Sequence, residues 1–504
     1  MNEFCFRLPW GWKLNSCQLG LIHVIGIDGI PTPCKTRINR HEDDPASESY
    51  LHIVRHDSDS GCVFVAYPHP RWGELILSTG TLPPSTEIYD LLKELARGTL
   101  NRLRNQASIW QEGGLEIPDQ LLQRFDQATQ LLAGSIMSDN QSEQDRLAAE
   151  TIDVGVDLIF EVADQFVDQI TSFRLSQKGF SKFWRACRIA GREAGGNNAL
   201  SSGLTSSPSS SFTDSLSTEF DFLQFSQVCG DAPQQPMIPE SYRSIFVGPI
   251  LDASSGGMDH GLTSANDYPS RREILLARTR YCVDNFSERA SLFHLVAGLN
   301  GIGHRYLNYS QQLQLTTDML QVVDDSLSET PVMVSFDFPW GERLAGAVGG
   351  IHPLQIADSL IRRAGTISFF GLEINLDFWP GGSALRDPFQ WIDLIDIWAQ
   401  LETPLVIILR VPTGGEPIPA DAPVDRMINQ QRSSNTDLQR LNFLKKVLPM
   451  LIGRPIVEGI IFAQANDSDD PRFPHGGLFD QQGKRKAIYE VINELGTILQ
   501  PPRL

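Results

Sequence analysis

The sequence predicts an α/β protein in which a (β/α)8 barrel of the TIM type follows a small all-β module and a helical segment. Three observations support this fold class. Beyond residue 290, short apolar runs alternate with amphipathic helical stretches, and the runs recur roughly every 35 to 50 residues. These runs are continuously apolar, which is typical of parallel strands covered on both faces. The roughly 325 residues from 180 onward hold seven or eight such units, which suits a closed barrel better than an open doubly wound sheet.

The segment 1–82 is predicted to form a small module that resembles a β-sandwich. Between positions 21 and 78, short apolar runs are separated by clusters of Gly, Pro, Asp and Asn, as expected for four or five strands. The segment 1–18 shows no clear pattern. A Pro-Pro-Ser sequence at 83–85 then marks a stop and a helix start. Apolar residues three and four positions apart predict a helical hairpin or three-helix layer over 83–177.

The barrel is predicted over 178–504. Seven of its strands are visible as apolar runs. The expected strands are 183–191, 244–252, 292–298, 331–338, 366–376, 404–411 and 457–465. A segment rich in Gly and Ser at 195–218 has almost no large apolar side chains, so it predicts a flexible insertion that cannot offset the entropy of ordering.

Composition and charge limit the partners of this chain. Its 42 basic and 61 acidic side chains give a formal net charge of −19, which disfavours nucleic acid and anionic membranes. No apolar run is long enough to predict a membrane span, and the N-terminus lacks an export-signal pattern, so we expect a cytoplasmic protein. Seven scattered cysteines without a CxxC pair are expected to be reduced thiols. The sequence leaves the oligomeric state open.

No cofactor or metal is predicted. The nearest metal-like group, His52 and His56 with His41, His69 and Cys62 nearby, gives no pattern of four convergent ligands. Gly298, Gly301 and Gly303 lie in mid-domain and in the wrong order for a dinucleotide-binding turn, so they indicate a tight loop after a strand.

The chemistry of such a barrel resides at the C-terminal ends of its strands. In this sequence acids, amides and tryptophans follow several of the predicted strands. This combination suits a carbohydrate cleft, because carboxylates and amides bind hydroxyl groups and indole rings stack on pyranose rings. The candidate carbohydrate-binding residues are Trp340, Asn375, Asp377, Trp379, Asn300 and Asn466. The alternative for any one acid is that it caps the following helix.

Two C-terminal segments carry a resemblance to a known family. Five residues after the last strand form a Leu-Phe-Asp-x-x-Gly-x-x-Lys pattern: Leu478, Phe479, Asp480, Gly483 and Lys486. This pattern and the strand at 366–376 resemble the last and the sixth units of glycoside hydrolase family 10, the endo-xylanase barrel. At the end of the sixth strand, Glu373-Ile374-Asn375 stands where that family has Gln-Ser-His. The resemblance is absent from the segment 1–175.

The resemblance implies a catalytic pair that this sequence lacks. In the family, an acid/base Glu ends the fourth strand and a nucleophile Glu ends the seventh. Aligned with them here are Gly298 and Leu409. Retaining glycoside hydrolysis needs two carboxyl groups about 5 to 5.5 Å apart. The family's mechanism is therefore not expected to carry over unchanged.

Three functions stay open. In the first, the chain is a carbohydrate-binding or regulatory pseudoenzyme whose ligand is an oligosaccharide or polysaccharide. In the second, it is an active glycoside hydrolase with a displaced carboxylate pair, formed by Glu373 with Asp337, Glu342 or Asp467. In the third, it is a scaffold protein that acts through its helical layer and β module. If Glu373 is instead paired with a neighbouring group or caps a helix, the hydrolase hypothesis is weakened.

Tryptophans separate a sugar cleft from a scaffold. If Trp340 and Trp379 face the barrel mouth while Trp391 lies in the core, a sugar cleft is favoured. If all three are buried between helices and strands, a scaffold is favoured. Trp391 and Trp398 are seven positions apart in an apolar helical stretch, which predicts a place in the helix core.

Overall fold

In the N-terminal part of the computed structural model, strands form two sheets around a shared core. The model describes residues 3–27, 29–39, 49–176, 183–190, 216–226, 244–253, 265–301, 306–326, 329–342, 344, 350–364, 367–415, 430–431 and 435–499. The N-terminal elements are β1 (Glu3–Arg7), α1 (Ser16–Leu21), β2 (His23–Gly26), β3 (Pro31–Thr32), β4 (Cys34–Asn39), β5 (Tyr50–Arg55), β6 (Gly61–His69), β7 (Gly73–Ser78) and β8 (Ile88–Asp90). One sheet has the order β4-β5-β1-β8 and the other contains β7-β6-β2-β3.

Period-two burial explains the first sheet. Phe4 and Phe6 in β1 are fully buried, and they lie opposite Ile53 and Leu51 in the antiparallel partner β5. Because side chains alternate between the two faces of a strand, all four point into the core. The segment 1–18, which shows no clear pattern in the sequence, therefore contains a central strand.

Three helices form a layer between the β module and the barrel. They are α2 (Leu91–Glu112), α3 (Asp119–Met137) and α4 (Gln141–Ser176). On one side, Trp72 of the β module stacks on Phe160 of α4 with ring centroids 3.8 Å apart. On the other side, Trp110 of α2 meets Phe389 of the barrel part edge to face at 5.3 Å. The layer thus packs on both neighbours through aromatic side chains.

The C-terminal part of the chain is a closed barrel of eight parallel strands. In order around the barrel these are β9 (Trp184–Ala190), β10 (Phe222–Ser226), β11 (Ile245–Val247), β13 (Ala290–Ala297), β14 (Val332–Asp337), β15 (Phe369–Asn375), β18 (Leu405–Arg410) and β20 (Val457–Phe462), which pairs back to β9. The predicted fold class is confirmed. The strand that the sequence did not reveal is β10, which is short and carries a polar residue, Gln224, at its centre.

Helices and short strands connect the barrel strands. The helices are α5 (Tyr268–Phe286), α6 (Tyr309–Asp325), α7 (Pro353–Ala364), α8 (Pro388–Ala399), α9 (Asp437–Ile452) and α10 (Ile488–Ile498). The short strands are β12 (Leu251–Asp252), β16 (Phe378–Trp379), β17 (Leu385–Arg386) and β19 (Gln430–Gln431). The strand β17 pairs with β7 and so extends the second sheet of the β module. Backbone hydrogen bonds therefore join the module to the barrel.

Alternation along the strands separates the barrel interior from the outer layer. The inward cluster contains Ala186, Phe246, Leu292, Met333, Val406, Ile408, Ile461 and Ala463. Side chains of opposite parity, such as Ile407 and Leu409, belong to the large cluster shared with the surrounding helices. A Cβ on Gly459 would lie 2.2 Å from the ring of Trp184, so glycine lets this indole lie across the barrel interior. The interior is a packed apolar core at this level.

The structure also bears on the expectations for the cysteines, the insertion and membrane spans. The thiol expectation is wrong for Cys282, which is disulfide-bonded, and holds for Cys5, Cys17, Cys34, Cys62 and Cys187, whose thiols are reduced. The predicted insertion at 195–218 lies outside the described residues except for its last three positions. Within the described part of the chain, none of the helices combines the length and apolarity that crossing a membrane requires.

Candidate functional site

A hydrogen-bonded row of polar side chains lies inside the barrel near the C-terminal ends of its strands. Arg188 Nε donates to Gln224 Oε1 over 3.0 Å, and Gln224 Nε2 lies 3.0 Å from His294 Nδ1. His294 Nε2 lies 2.8 Å from Ser335 Oγ, and Ser335 Oγ donates to Glu373 Oε1 over 2.6 Å. These residues come from β9, β10, β13, β14 and β15. The row, called the polar row below, spans more than half of the barrel.

Strand alternation explains why these side chains point inward. Four members lie two positions beyond an inward apolar residue of the same strand: Ala186 precedes Arg188, Phe222 precedes Gln224, Leu292 precedes His294, and Met333 precedes Ser335. The apolar core and the polar row are therefore successive layers of one interior.

The proton positions in the polar row follow from its neighbours. His294 Nε2 lies 3.1 Å from the carbonyl oxygen of Val296, which can only accept, so Nε2 carries the proton and Nδ1 accepts from Gln224. Burial, reinforced by the charge of Arg188, holds the pKa of His294 well below its usual range, so the imidazole is neutral. Each donor then points along the row toward Glu373. This carboxylate is the acceptor at which the row ends.

Arg410, at the end of β18, carries the next polar group around the barrel. Its Nη1 donates to Asn375 Oδ1, and its Nη2 lies 3.4 Å from Asp470 Oδ2. The guanidinium carbon lies 4.0 Å from the ring centroid of Phe473, in the loop after β20. Burial lowers the pKa of Arg410, and the charge of Arg188 acts in the same direction. Two guanidinium groups therefore influence one another at this end of the barrel.

A second arginine binds the acids of the surrounding loops. Arg472 Nη2 lies 2.7 Å from Asp252 Oδ2 and 2.8 Å from Asp470 Oδ2. Burial alone would raise the pKa of Asp470, but the charges of Arg472 and Arg410 outweigh it and hold the pKa below its usual range. The loop after β20 is thus fixed to the end of β12 by ion pairs.

Two of the predicted catalytic acids lie side by side. Asp337 and Glu373 are register partners on neighbouring parallel strands, and both have inward parity. The amide of Asn300 accepts from the backbone N–H of Asp337 over 2.8 Å and donates to its carbonyl over 2.7 Å. Asn300, predicted to bind carbohydrate, thus fixes the backbone at the end of β14 instead of joining the polar row.

The other two predicted acids have protein partners elsewhere. Asp467 accepts from Lys486 Nζ over 2.8 Å, and Lys486 also donates to the carbonyl of His475 over 2.7 Å. Glu342 Oε1 accepts from the hydroxyl of Ser383 over 2.6 Å. Neither contact joins the polar row. The structure therefore brings Glu373 and Asp337 together, while Asp467 holds the loop that follows β20.

The Leu-Phe-Asp-x-x-Gly-x-x-Lys segment shapes that same loop. Asp480 Oδ1 accepts from the backbone N–H groups of Gln482 and Lys484 over 2.9 and 2.8 Å, and Gly483 has a φ of 80° that suits glycine. Lys486, the last residue of the pattern, is the partner of Asp467. The pattern thus forms a turn that returns a lysine to the end of the barrel.

Two other residues that were predicted to bind carbohydrate form hydrogen bonds within the protein. Asp377 accepts from Arg440 Nε over 2.5 Å and from Asn435 Nδ2 over 2.9 Å, and both members of the ion pair are fully buried. Asn466 Oδ1 accepts from the backbone N–H of Ser468 over 2.9 Å, and its amide donates to the carbonyl of Asp480 over 2.7 Å. Of the predicted amides, Asn375 is the one that contacts the polar end of the barrel, through Arg410.

The tryptophans pack between the barrel and its neighbours. Trp340 donates to the carbonyl of Gln390 over 3.2 Å and meets Trp391 edge to face at 5.3 Å. Trp379 joins an apolar cluster with residues of the β module, and a Cβ on Gly20 would lie 2.5 Å from its ring. Trp340 and Trp379 are half-buried, whereas Trp391 and Trp398 are fully buried in α8. The contacts of Trp340 with α8 and of Trp379 with the β module are those expected of a scaffold, so this criterion does not favour a sugar cleft.

The positions aligned with the family's glutamates differ in orientation. Gly298 follows β13, and its N–H lies 3.3 Å from Ser335 Oγ. Leu409 belongs to the cluster shared with the outer helices, so its side chain points away from the interior. The inward residues of β18 are Val406, Ile408 and Arg410. None of these three is a carboxylate, and an arginine stands at the C-terminal end.

Sequence reasoning did not select the first four members of the polar row. Arg188, Gln224, His294 and Ser335 each stand within a predicted or observed apolar strand. The available signal was a polar residue at inward parity within an apolar run, as in Leu-Phe-His-Leu and Met-Val-Ser-Phe. Among the described residues, no three His, Cys, Asp or Glu side chains gather in a way that could hold a metal ion.

Comparisons with known proteins give structural likeness only. No family model matches the chain, and no curated protein matches it. Xylanase 10B from Thermotoga petrophila RKU-1, solved with xylobiose, is 12% identical over 66% of this chain and 97% of that chain, with a TM-score of 0.44. Native xylanase 10B from Thermotoga maritima is also 12% identical, over 65% and 98%, with a TM-score of 0.44. Penicillium canescens endo-1,4-beta-xylanase XylE is 11% identical, over 66% and 97%, with a TM-score of 0.43. Likeness at this level assigns no family and no activity.

Proposed function

We propose that this chain binds a carbohydrate at the C-terminal end of its barrel and does not cleave it by the two-glutamate mechanism of the family it resembles. The observation that carries the proposal is the placement of Glu373 and Arg410 on neighbouring strands at that end. Glu373 ends the polar row as an acceptor, and the inward residue at the end of the neighbouring strand β18 is Arg410. In β18 the register partner of Glu373 is Ile408, and Arg410 pairs with Asn375, two positions further along. On this side of Glu373 the strand therefore offers a guanidinium and no second carboxylate.

The groups at this end suit a ligand rich in hydroxyl groups. Such a ligand needs both acceptors and donors within one small region. Glu373 supplies an acceptor, Asn375 an amide, and Arg410 several donors, one of which, Nε, is buried without a hydrogen-bond partner among the described residues. Gln464 Oε1 is likewise buried and unpartnered in the described part of the chain. Buried polar groups of this kind gain most from a ligand that satisfies them.

Two of the three other candidate acids are engaged within the fold, and the third, Asp337, is the register partner of Glu373. A retaining mechanism requires two carboxyl groups on either side of the scissile bond. Asp467 is held by Lys486, and Glu342 accepts from Ser383, so each already has a role in the fold. Removal of an essential catalytic carboxylate costs several orders of magnitude in rate. We therefore assign Glu373 to ligand binding.

The proposal is tested by measuring binding and cleavage on the same full-length protein. Binding of neutral xylo-, gluco- and manno-oligosaccharides is followed by calorimetry, and reducing ends are followed over a day. We expect binding without release of reducing ends, and binding about tenfold weaker in Glu373→Gln. Glu490→Gln is the matched control, since Glu490 is exposed on α10. Absence of binding to every saccharide would overturn the proposal and leave the scaffold hypothesis.

One observation favours hydrolysis as a second candidate. Asp337 and Glu373 are register partners with inward parity on adjacent strands, and adjacent strands lie about 4.8 Å apart. Such carboxylates could act as a displaced pair. In that case the wild type releases reducing ends, and Asp337→Asn and Glu373→Gln each abolish the release, while Glu490→Gln does not.

A further inference from the structure

Arg188 is a buried arginine without a carboxylate partner in the described part of the chain. Only 8% of it is exposed. Its Nε donates to the neutral amide of Gln224, and its Nη2 is buried without a hydrogen-bond partner among the described residues. A guanidinium stays charged at any physiological pH, and a buried charge without a counter-ion is unfavourable. The position is therefore suited to an anionic ligand.

Arg410 and Arg188 lie at the same level of the barrel, on the two strands that flank β20: the residues before them, Leu409 and Cys187, are both register partners of Phe462. Arg410 is 4% exposed, and its Nε is also unpartnered among the described residues. Its one carboxylate contact, to Asp470, is long at 3.4 Å, and Asp470 is held more closely by Arg472 at 2.8 Å. Two buried guanidinium groups with unused donors thus occur together at one end of the barrel.

The nearby acids are engaged by other groups. Asp252 and Asp470 contact Arg472, and Glu373 accepts from the hydroxyl of Ser335. These acids also limit the charge of an incoming ligand. A doubly charged phosphate would be repelled by Glu373 and Asp470, whereas a single carboxylate meets less repulsion and matches the planar fork of a guanidinium.

We propose that Arg188 and Arg410 form the anion-binding end of the saccharide site and that the ligand carries a uronic acid. This inference rests on the proposed carbohydrate-binding function and specifies its ligand. The carboxylate of the uronic acid pairs with the two guanidinium groups, and the neutral hydroxyl groups of the sugar bond to Asn375 and Glu373. The ligand thereby supplies the counter-ion that Arg188 lacks within the described residues.

The experiment compares two ligands that differ by one acidic group. A neutral xylo-oligosaccharide and the same oligosaccharide bearing one glucuronic acid are titrated into the full-length protein by calorimetry. We expect the acidic ligand to bind at least about tenfold more tightly, the usual gain from charge-assisted hydrogen bonds. In Arg188→Met the preference for the acidic ligand over the neutral one should fall below about threefold. Arg362→Met is the matched control, because the Arg362 side chain is 75% exposed on α7.

The outcomes separate this inference from the proposed function. If neither ligand binds, the carbohydrate-binding function fails. If both bind with equal affinity in the wild type, only the uronate inference fails. A xylose phosphate that binds more tightly than glucuronate would overturn the choice of a carboxylate.

Stability gives a readout that needs no oligosaccharide. Removing an uncompensated buried charge should leave the thermal midpoint of Arg188→Met at or above that of the wild type. Free glucuronate should raise the wild-type midpoint and leave that of Arg188→Met unchanged. A glucuronate-induced rise of equal size in both proteins would contradict the role of Arg188.

Discussion

The buried ion pair between Asp377 and Arg440 tests whether Asp377 holds the fold or a ligand. Both side chains are fully buried, and Arg440 Nε and Asn435 Nδ2 each donate to one carboxylate oxygen of Asp377. Asp377→Asn preserves the shape and tolerates the φ of 61° at this position. It removes the charge and turns one acceptor into a donor. We expect the free energy of unfolding to fall by about 3 kcal/mol, because breaking a buried pair costs about 3 to 5 kcal/mol.

A second acid on the same arginine provides the matched control. Asp437 accepts from Arg440 Nη1 over 2.8 Å, but its side chain is 38% exposed. We expect Asp437→Asn to cost about 1 kcal/mol or less, as exposed pairs do. Urea unfolding of the full-length variants, followed by tryptophan fluorescence, measures the difference. Equal losses in the two variants would refute the reasoning. Normal stability of Asp377→Asn together with lost saccharide binding would instead assign Asp377 to the ligand.

Three further predictions concern stability. Gly459→Ala should lower the free energy of unfolding by about 1 to 3 kcal/mol, because the new Cβ meets the Trp184 ring, and Trp184→Leu in the same chain should recover part of it in urea titrations. Arg102→Ala should lower the free energy of unfolding by about 3 kcal/mol in the same assay, because it removes the cation that binds the buried Asp387 carboxylate at the start of α8. A loss under about 0.5 kcal/mol would contradict this. Burial, with the charge of Arg386, lowers the pKa of His23 to about 3. Below the unfolded pKa of about 6.5 the unfolded state binds the proton more strongly than the folded state, so stability decreases as the pH is lowered. From pH 7 to 5 the wild type should therefore lose about 2 kcal/mol more than His23→Gln, and parallel losses would contradict the assignment.

The barrel could be predicted because its strands are long and continuously apolar. β14 and β18 are buried on every residue, so both faces contribute to the same signal. The strand β10 lacks this signal because its central residue is a glutamine that serves the polar row. Local composition cannot distinguish such an inward polar residue from a loop residue. Only the closed barrel shows that Gln224 lies between Arg188 and His294.

The candidate site was predicted less completely than the fold. The C-terminal strand ends were expected to carry the chemistry, and Glu373 and Asn375 do lie with the polar groups there. Side chains alternate with period two, so an alignment uncertain by one residue cannot decide whether Leu409 or Arg410 faces the interior. Contacts between distant segments were also beyond reach. The pairing of Asp377 with Arg440 joins residues 63 positions apart.

A crystal structure of the full-length protein after incubation with the glucuronic acid-bearing xylo-oligosaccharide tests the central claim most directly. We predict an intact oligosaccharide at the C-terminal end of the barrel, with its carboxylate within hydrogen-bond distance of the Arg188 or Arg410 guanidinium. A cleaved sugar between Asp337 and Glu373, or an oligosaccharide bound only outside the barrel end, would contradict the account.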